Sequence, residues 1–246
     1  MNQIKELAQR IHHASTITFL TGAGVSTASG IPDFRSTKGF WSQDKSREYY
    51  MSSDYYYKNP EDFWMKYKEI FGIKLLKDYQ PNAVHYFLRD LERKGKQITV
   101  VTQNVDGLHS LAGNEHVIEY HGNLSTATCP HCSTTYDLTY IMKEQVPRCN
   151  QAGCGDTLKP DIVSFGDPIT HHNEAEQAID SSELVIVLGT SLLVTPFSLL
   201  PDFAAFHTDS LLAIINKEST PKDQLFDYII HDDLVETITK IDRYLA

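Results

Sequence analysis

A chain of 246 residues, 41% of them apolar, can bury a sizeable core and exceeds the roughly 100–150 residues of a common single domain. Thirty-two acidic against 22 basic residues leave a formal charge of −10, which argues against a protein that grips nucleic acid through its phosphates. The opening residues are polar without a secretory leader pattern, and no apolar run reaches the roughly 18–20 residues of a membrane span. A cytoplasmic chain with neither nucleic acid nor membrane as partner is expected.

Ile4 to Ala14 has helical apolar spacing through Ile4, Leu7, Ala8 and Ile11. Thr16 to Leu20 reads as a short buried strand running into Thr21-Gly22-Ala23-Gly24, and this loop is expected to open a helix. Residues 39–77 change character: Trp41, Tyr49, Tyr50, Tyr55, Tyr56, Tyr57, Phe63 and Trp64 crowd a polar stretch. Pro81 to Arg93 reads as an amphipathic helix ended by Lys94-Gly95. Gln97 to Gln103 is a second buried strand and Val117 to Tyr120 a third. A turn-rich segment with all four cysteines follows. Beyond it, Asp161 to Phe165 reads as strand, Glu174 to Ser182 as helix and Leu184 to Leu188 as strand. Phe197 to Phe206 reads as helix, Leu211 to Ile215 as strand and Leu234 to Leu245 as helix.

This alternation predicts an α/β fold, a doubly wound and mostly parallel Rossmann-like sheet with helices on both faces. Ligands in such sheets sit beyond the carboxyl ends of the strands. Those ends carry Thr21-Gly22-Ala23-Gly24, Gln103-Asn104-Val105-Asp106, Gly189-Thr190-Ser191 and Asn216.

The glycine loop alone is a weak signal. Thr27 stands where a dinucleotide fingerprint has its third glycine, and no strand with a terminal acid follows at the usual distance, so a dehydrogenase is disfavoured. Asn104 and Asp106 are polar groups at a buried strand end that need partners or a ligand, and Asp106 can also cap a helix through Leu108 and Leu111. Among 11 histidines, His121 stands out because His121-Gly122 closes an apolar strand. His85, His109 and His116 read as structural, and His12, His13, His171 and His172 as solvated.

Cys129-Pro130-His131-Cys132 and Cys149-Asn150-Gln151-Ala152-Gly153-Cys154 form two knuckles 16 residues apart. Four thiolates fill a tetrahedral zinc sphere and leave no place for water, so one structural zinc is expected. The second loop is the longer, with Gly153 to relax it, and His131 reads as a bystander. Two disulfides are the competing assignment.

The run Gly22-Ala23-Gly24-Val25-Ser26-Thr27-Ala28-Ser29-Gly30-Ile31-Pro32-Asp33-Phe34-Arg35-Ser36 resembles the signature of the sirtuin family, bacterial type, nearly residue for residue. Thr102 to Asp106 resembles its T-Q-N-x-D motif, His121 its catalytic histidine and Gly189 to Val194 its G-T-S-L-x-V motif. The resemblance spans the chain. It implies an NAD-dependent protein lysine deacylase acting on acyl-lysine proteins or peptides and yielding nicotinamide and O-acetyl-ADP-ribose. His121, Asn104 and Asp106 would be catalytic, with His121 taking a proton from a ribose hydroxyl. Gly22, Ala23, Gly24, Ser26, Thr27, Ile31, Asp33, Phe34, Arg35, Gln103, Val105, Gly189, Thr190, Ser191, Asn216 and Asp233 would join them around NAD. Val163, Phe165, Gly166, Leu192 and Val194 would meet substrate.

The resemblance also implies a discontinuous NAD-binding domain over residues 1–38, 78–123 and 158–246. Residues 39–77 and 124–157 would form a small inserted domain, a helical module plus the four-cysteine zinc ribbon. Relatives that prefer succinyl or malonyl lysine carry Tyr-x-x-Arg in that module; Trp64 and Tyr67 are the corresponding positions here, which implies acetyl or another uncharged acyl group. Two other readings stay open: a mono-ADP-ribosyltransferase, and an NAD-sensing zinc-ribbon interaction module.

Overall fold

The computed structural model describes residues 3–32, 46–76 and 79–245, so the expected cofactor residues Asp33, Phe34 and Arg35 lie outside the described residues. Its frame is a parallel sheet of six short apolar strands. These are β1 (Thr16–Thr21), β2 (Gln97–Thr102), β3 (Val117–Glu119), β7 (Leu184–Leu188), β8 (Leu211–Ile215) and β9 (Tyr228–Ile230). They lie in the order β3-β2-β1-β7-β8-β9. The order reverses between β1 and β7, which is the switch point of a doubly wound sheet.

Helical periodicity supplies the two covering layers. On one face, α1 (Gln3–His13), α5 (Ala83–Arg93) and α10 (Leu234–Leu245) turn Leu7, Ile11, Val84, Leu88, Ile238 and Ile241 onto Ile17, Phe19 and Ile186. On the other, α8 (His172–Asp180) and α9 (Leu200–His207) bring Ala175, Ile179, Leu200 and Ala204 against Leu20, Val185 and Val187. The α5 helix starts two residues later than expected because Asn82 caps it. Its Oδ1 accepts from the Val84 N–H at 3.0 Å, while His85 Nδ1 accepts from the Asn82 N–H at 3.2 Å. The reciprocal pair satisfies donors that a helix start leaves open.

A second unit has its own core. β4 (Gly122–Thr128), β5 (Thr135–Asp137) and β6 (Lys159–Ile162) form an antiparallel sheet in the order β5-β4-β6. Against it pack α2 (Ser46–Tyr50), α3 (Ser53–Lys58), α4 (Pro60–Leu76) and α7 (Leu138–Ile141), through Phe63, Trp64, Tyr67, Leu124, Ala127 and Leu158. Trp64 Nε1 donates to the Leu158 carbonyl at 2.6 Å, satisfying the indole where it is fully buried. Among the described residues no helix is long and apolar enough to cross a membrane.

Three expectations change. The glycine loop opens two 3-10 turns, Ala23–Val25 and Thr27–Ser29, rather than a helix; Gly30, at φ +85°, ends the second. The strand expected over 161–165 is β6 at Lys159–Ile162, because the chain then leaves β4 and bonds to the 51–53 segment through Phe165 N–H to Met51 O and Ser53 N–H to Phe165 O. The expected helix from Phe197 begins as a 3-10 turn and becomes α-helical at Leu200.

Gly122 shows how closely β4 and β6 approach within the smaller sheet. It sits at φ +74°, and a Cβ there would lie 2.0 Å from the Asp161 carbonyl oxygen. Gly122→Ala should lower unfolding stability by about 2 kcal/mol or more, from strain and overpacking combined. Urea denaturation checks this; stability within about 0.5 kcal/mol of the parent, the range of an ordinary surface substitution, would contradict the geometry.

Candidate active site

The carboxyl ends of β1, β2, β7 and β8 open on one cavity of about 1090 Å3. It has room for a ligand larger than most small metabolites. Its walls hold Ala23, Gly24, Thr27, Gln103, Asn104, Val105, His121, Gly189, Thr190, Ser191, Asn216 and Asp233 of the expected cofactor set. Val163, Phe165, Gly166 and Val194 of the expected substrate set line it too. Gly22 and Ser26 stand behind these walls, bonded to Asn104, and Leu192 is bonded to Thr190. Ile31, packed with Tyr79 and Leu108, and Asp106, bonded to Ser26 and Leu108, lie one step further back.

Glycine is required where the loops after β1 and β7 meet. A Cβ on Gly24 would lie 2.8 Å from both the Cα and the carbonyl oxygen of Gly189, and one on Gly189 would lie 2.7 Å from the Val25 nitrogen. The Gly24 N–H donates to Gly189 O at 2.8 Å, closing the loop onto the neighbouring strand end. Such bare backbone lets a pyrophosphate approach closely, so the loop fits a dinucleotide even without a helix beneath it.

Behind the loop the polar groups form one chain of bonds. Asn104, 4% exposed, donates from Nδ2 to Gly22 O at 3.0 Å and to Ser26 Oγ at 3.1 Å. Ser26 Oγ donates to Asp106 Oδ2 at 2.8 Å, and Asp106 Oδ1 accepts from the Leu108 N–H at 3.0 Å. Asp106 thus supports the start of α6 (Leu108–Ala112), although Gly107 holds the cap position itself. Gln103 Nε2 reaches Thr190 Oγ1 at 2.9 Å, tying the β2 end to the β7 end.

His121 lies where the two units meet. Its carbonyl accepts from the Val163 N–H at 2.8 Å. Its Nδ1 is 3.2 Å from the Gln103 carbonyl, which only accepts, so Nδ1 carries the proton in the neutral ring and Nε2 is the basic nitrogen. The ring stands 6.4 Å from that of Phe197.

The other histidines divide differently from expectation in two cases. His85 and His109 are buried, with rings 4.7 Å apart, and burial pushes His85 down to about 4 and His109 well below its usual range. Both are neutral packing groups. His116, read as structural, is exposed, because its neighbour Val117 rather than the imidazole faces the sheet. His172, read as solvated, is bonded to the buried Tyr120 hydroxyl at 2.6 Å and to Glu176 at 3.3 Å.

Sequence reasoning missed several wall residues. Met51, Phe71, Ile162, Ile169 and Leu234 add apolar surface to the wall, and Lys217 and Glu218 follow Asn216 along it. Asn82 is also functional in position: its Nδ2 pins the glycine loop at Val25 O (2.8 Å) and Ser29 Oγ (2.9 Å). The Asn-x-x-His cap pattern was visible in the sequence, but nothing there showed what the cap would reach. Trp64 and Tyr67, at the positions where succinyl- or malonyl-preferring relatives carry Tyr-x-x-Arg, are both buried in the small core.

The four cysteines gather at one point, their sulfurs all within 4.8 Å of one another. Cys129 and Cys154 lie 3.5 Å apart, and Cys132 and Cys149 3.4 Å. Zinc–sulfur bonds of about 2.3 Å set tetrahedral sulfurs roughly 3.8 Å apart, so the set fits zinc, and the cysteines are free thiols rather than disulfides. Gly153 and Gly155, at φ +78° and +80°, turn the longer knuckle. His131 points away, toward Asp156 at 3.7 Å.

A model of the Sir2 family matches residues 22–196. The chain belongs to the Sir2 family. It is 45% identical over 246 residues to NAD-dependent protein deacetylase 2 of Geobacillus kaustophilus (strain HTA426), covering 100% of this chain and 99% of that one. It is 45% identical over 231 residues to an NAD-dependent protein deacetylase of Bacillus subtilis (strain 168), covering 92% and 94%. A solved Sir2 bound to acetylated peptide matches with a TM-score of 0.84 at 32% identity, covering 98% of this chain and 97% of that one. A Sir2 homologue mutant in complex with ADP-ribose matches with a TM-score of 0.88 at 30% identity, covering 98% and 95%. This Sir2 family member uses NAD as co-substrate and holds one structural zinc.

Zinc binding is coupled to folding, on the order of 10 kcal/mol in isolated finger peptides. Stripping the metal with a chelator should therefore lower the melting temperature by about 10 °C or more, and adding zinc back should restore it. A melting temperature indifferent to chelation would rule out the structural role.

Proposed function

We infer that the chain removes acetyl groups from protein lysines at the expense of NAD, releasing nicotinamide and O-acetyl-ADP-ribose. The observation that carries this reading is the position of His121. Its basic nitrogen shares one cavity with the glycine loop on one side and the 163–166 segment on the other.

NAD supplies the reacting ribose carbon and the leaving group; the protein contributes orientation and electrostatics. The loop from Gly22 to Thr27 and the Gly189–Ser191 turn receive the phosphates. Asn104, fixed by Gly22 and Ser26, and Asp106 behind it hold the nicotinamide end in register. The Gln103 carbonyl keeps the Nδ1 proton on His121, and Nε2 takes a proton from a ribose hydroxyl, activating it against the acyl carbon. The backbone of residues 163–166 offers an extended peptide main-chain bonds that are indifferent to its sequence.

An uncharged acyl group fits the apolar end formed by Met51, Phe71, Ile162 and Ile169. The lysine or arginine on the cavity wall, among the described residues, is Lys217, and it lies at the Asn216 end. The same preference agrees with Trp64 and Tyr67, which supply no cation where other relatives carry Tyr-x-x-Arg. The two separate cores support the division into a discontinuous NAD-binding domain and a small zinc domain. A cytoplasmic location without nucleic acid partners belongs to the same proposal, and the net charge of −10 supports the absence of nucleic acid.

Mass spectrometry of an acetyl-lysine peptide incubated with NAD tests the reading. The parent enzyme should remove acetyl faster than succinyl from the same sequence. His121→Ala should slow turnover by about 100-fold or more, as loss of a general base does, while zinc content and NAD affinity stay close to normal. Near-normal turnover in that variant, or preferred removal of succinyl, would overturn the assignment.

A further inference from the structure

The cavity has a second histidine beside it, at the end opposite His121. His231 follows β9, with its side chain 33% exposed, and touches two acceptors at once. Its Nδ1 lies 3.1 Å from the carbonyl oxygen of Asn216, and its Nε2 lies 2.9 Å from Asp223 Oδ2. A carbonyl and a carboxylate only accept hydrogen bonds. A neutral imidazole has one N–H, so it can satisfy one of these partners and must turn a lone pair on the other. Both bonds form only when the ring carries two protons.

What the ring holds is the loop that closes the end of the cavity. Asn216, Lys217, Glu218, Ser219 and Pro221 line that wall. The start of the loop is tied to β9 by the Asn216 N–H, which donates to Ile230 O at 3.1 Å, and its far end by Asp223, which accepts from Thr220 Oγ1 at 2.6 Å and from Thr220 N–H at 3.0 Å. His231 bridges the two ends. Burial works against charge on Asp223, but bonds from Thr220 and His231 hold its carboxyl below the usual range, so it remains an anion across neutral pH. The other charges on the surrounding elements are engaged elsewhere. Asp202 of α9 pairs with Lys222, Asp232 with Lys240 and the Asp233 N–H, and Lys217 and Glu218 stand on the cavity side of Asn216.

We propose that His231, as an imidazolium, is a positioning residue for the cofactor: it clamps the 216–223 loop in the shape that receives the adenosine end of NAD. The proposal rests on the reading that Asn216 faces that end. A loop already fixed needs no ordering when the ligand arrives, so the clamp acts on affinity and leaves the chemistry at His121 alone. The sign follows from the protonation state. The clamp is complete when the ring carries both protons and loses one of its two bonds when it carries one.

Calorimetric titration of ADP-ribose between about pH 5.5 and 8.5, the span of imidazole titration, measures this without any turnover. The parent protein should bind roughly fivefold more weakly at the top of the range, the loss of one charge-assisted hydrogen bond in a half-exposed site. His231→Arg keeps two donors at every pH, so it should bind as the parent does at low pH and show a flat profile. His231→Ala should be weak and flat, with a melting temperature near that of the parent and an unchanged kcat at saturating NAD. A flat profile in the parent, or a slope that persists in His231→Arg, would overturn the clamp. Asn216→Ala separates the underlying reading: full ADP-ribose affinity in that variant would remove Asn216 from the cofactor site, whatever the pH profiles show.

Discussion

The contact between two bare backbones, Gly24 and Gly189, is the constraint on which the site depends. It lies at the one place where the sheet order reverses, so the chain goes on from β1 toward β2 and from β7 toward β8, in opposite directions. With no side chain on either residue, the loop after β1 lies directly on the end of β7 and leaves the space above open. Any Cβ there would push the loop outward into the space that a pyrophosphate needs. The Asn104, Ser26 and Asp106 bonds are then the supports that keep this loop from collapsing into the cavity.

The two units divide the work. In the proposed reading, the parallel sheet supplies the strand ends around the cofactor, and Met51, Phe71 and Ile162 of the small core add to the wall on the acyl side. His121 belongs to the junction: its side chain is fixed by the β2 end and its carbonyl by the segment after β6. The zinc cysteines are not among the residues of the cavity wall, so the metal acts on the reaction through the fold of the unit that carries them.

Much of this was legible in the chain itself, for physical reasons. β1, β2, β7 and β8 announce themselves because a strand buried on both faces must be apolar throughout, and the ordered motifs at their ends converge once the sheet is parallel. The cysteine pairs could be read from spacing alone. β4 could not: Gly-Asn-Leu-Ser-Thr-Ala-Thr is polar, and although β5 returns across the first cysteine pair, β6 comes from beyond the second. β9, a three-residue edge strand, carries too few positions for a pattern. Trp64 and Tyr67 could be placed by resemblance of position, but not their packing, on an α4 face turned toward Leu158 and the small sheet. His231 gave no signal, since its meaning lies in two acceptors that are 8 and 15 residues away in the chain.

The central claim is that cofactor cleavage and lysine deacylation are one coupled event in one cavity. Nicotinamide release, counted against lysine set free from an acetylated peptide, measures that coupling directly. The account predicts release that depends on the peptide, one nicotinamide per deacetylated lysine, with no ADP-ribose left on the peptide. Release that proceeds without peptide, or that leaves ADP-ribose attached to protein, would contradict it.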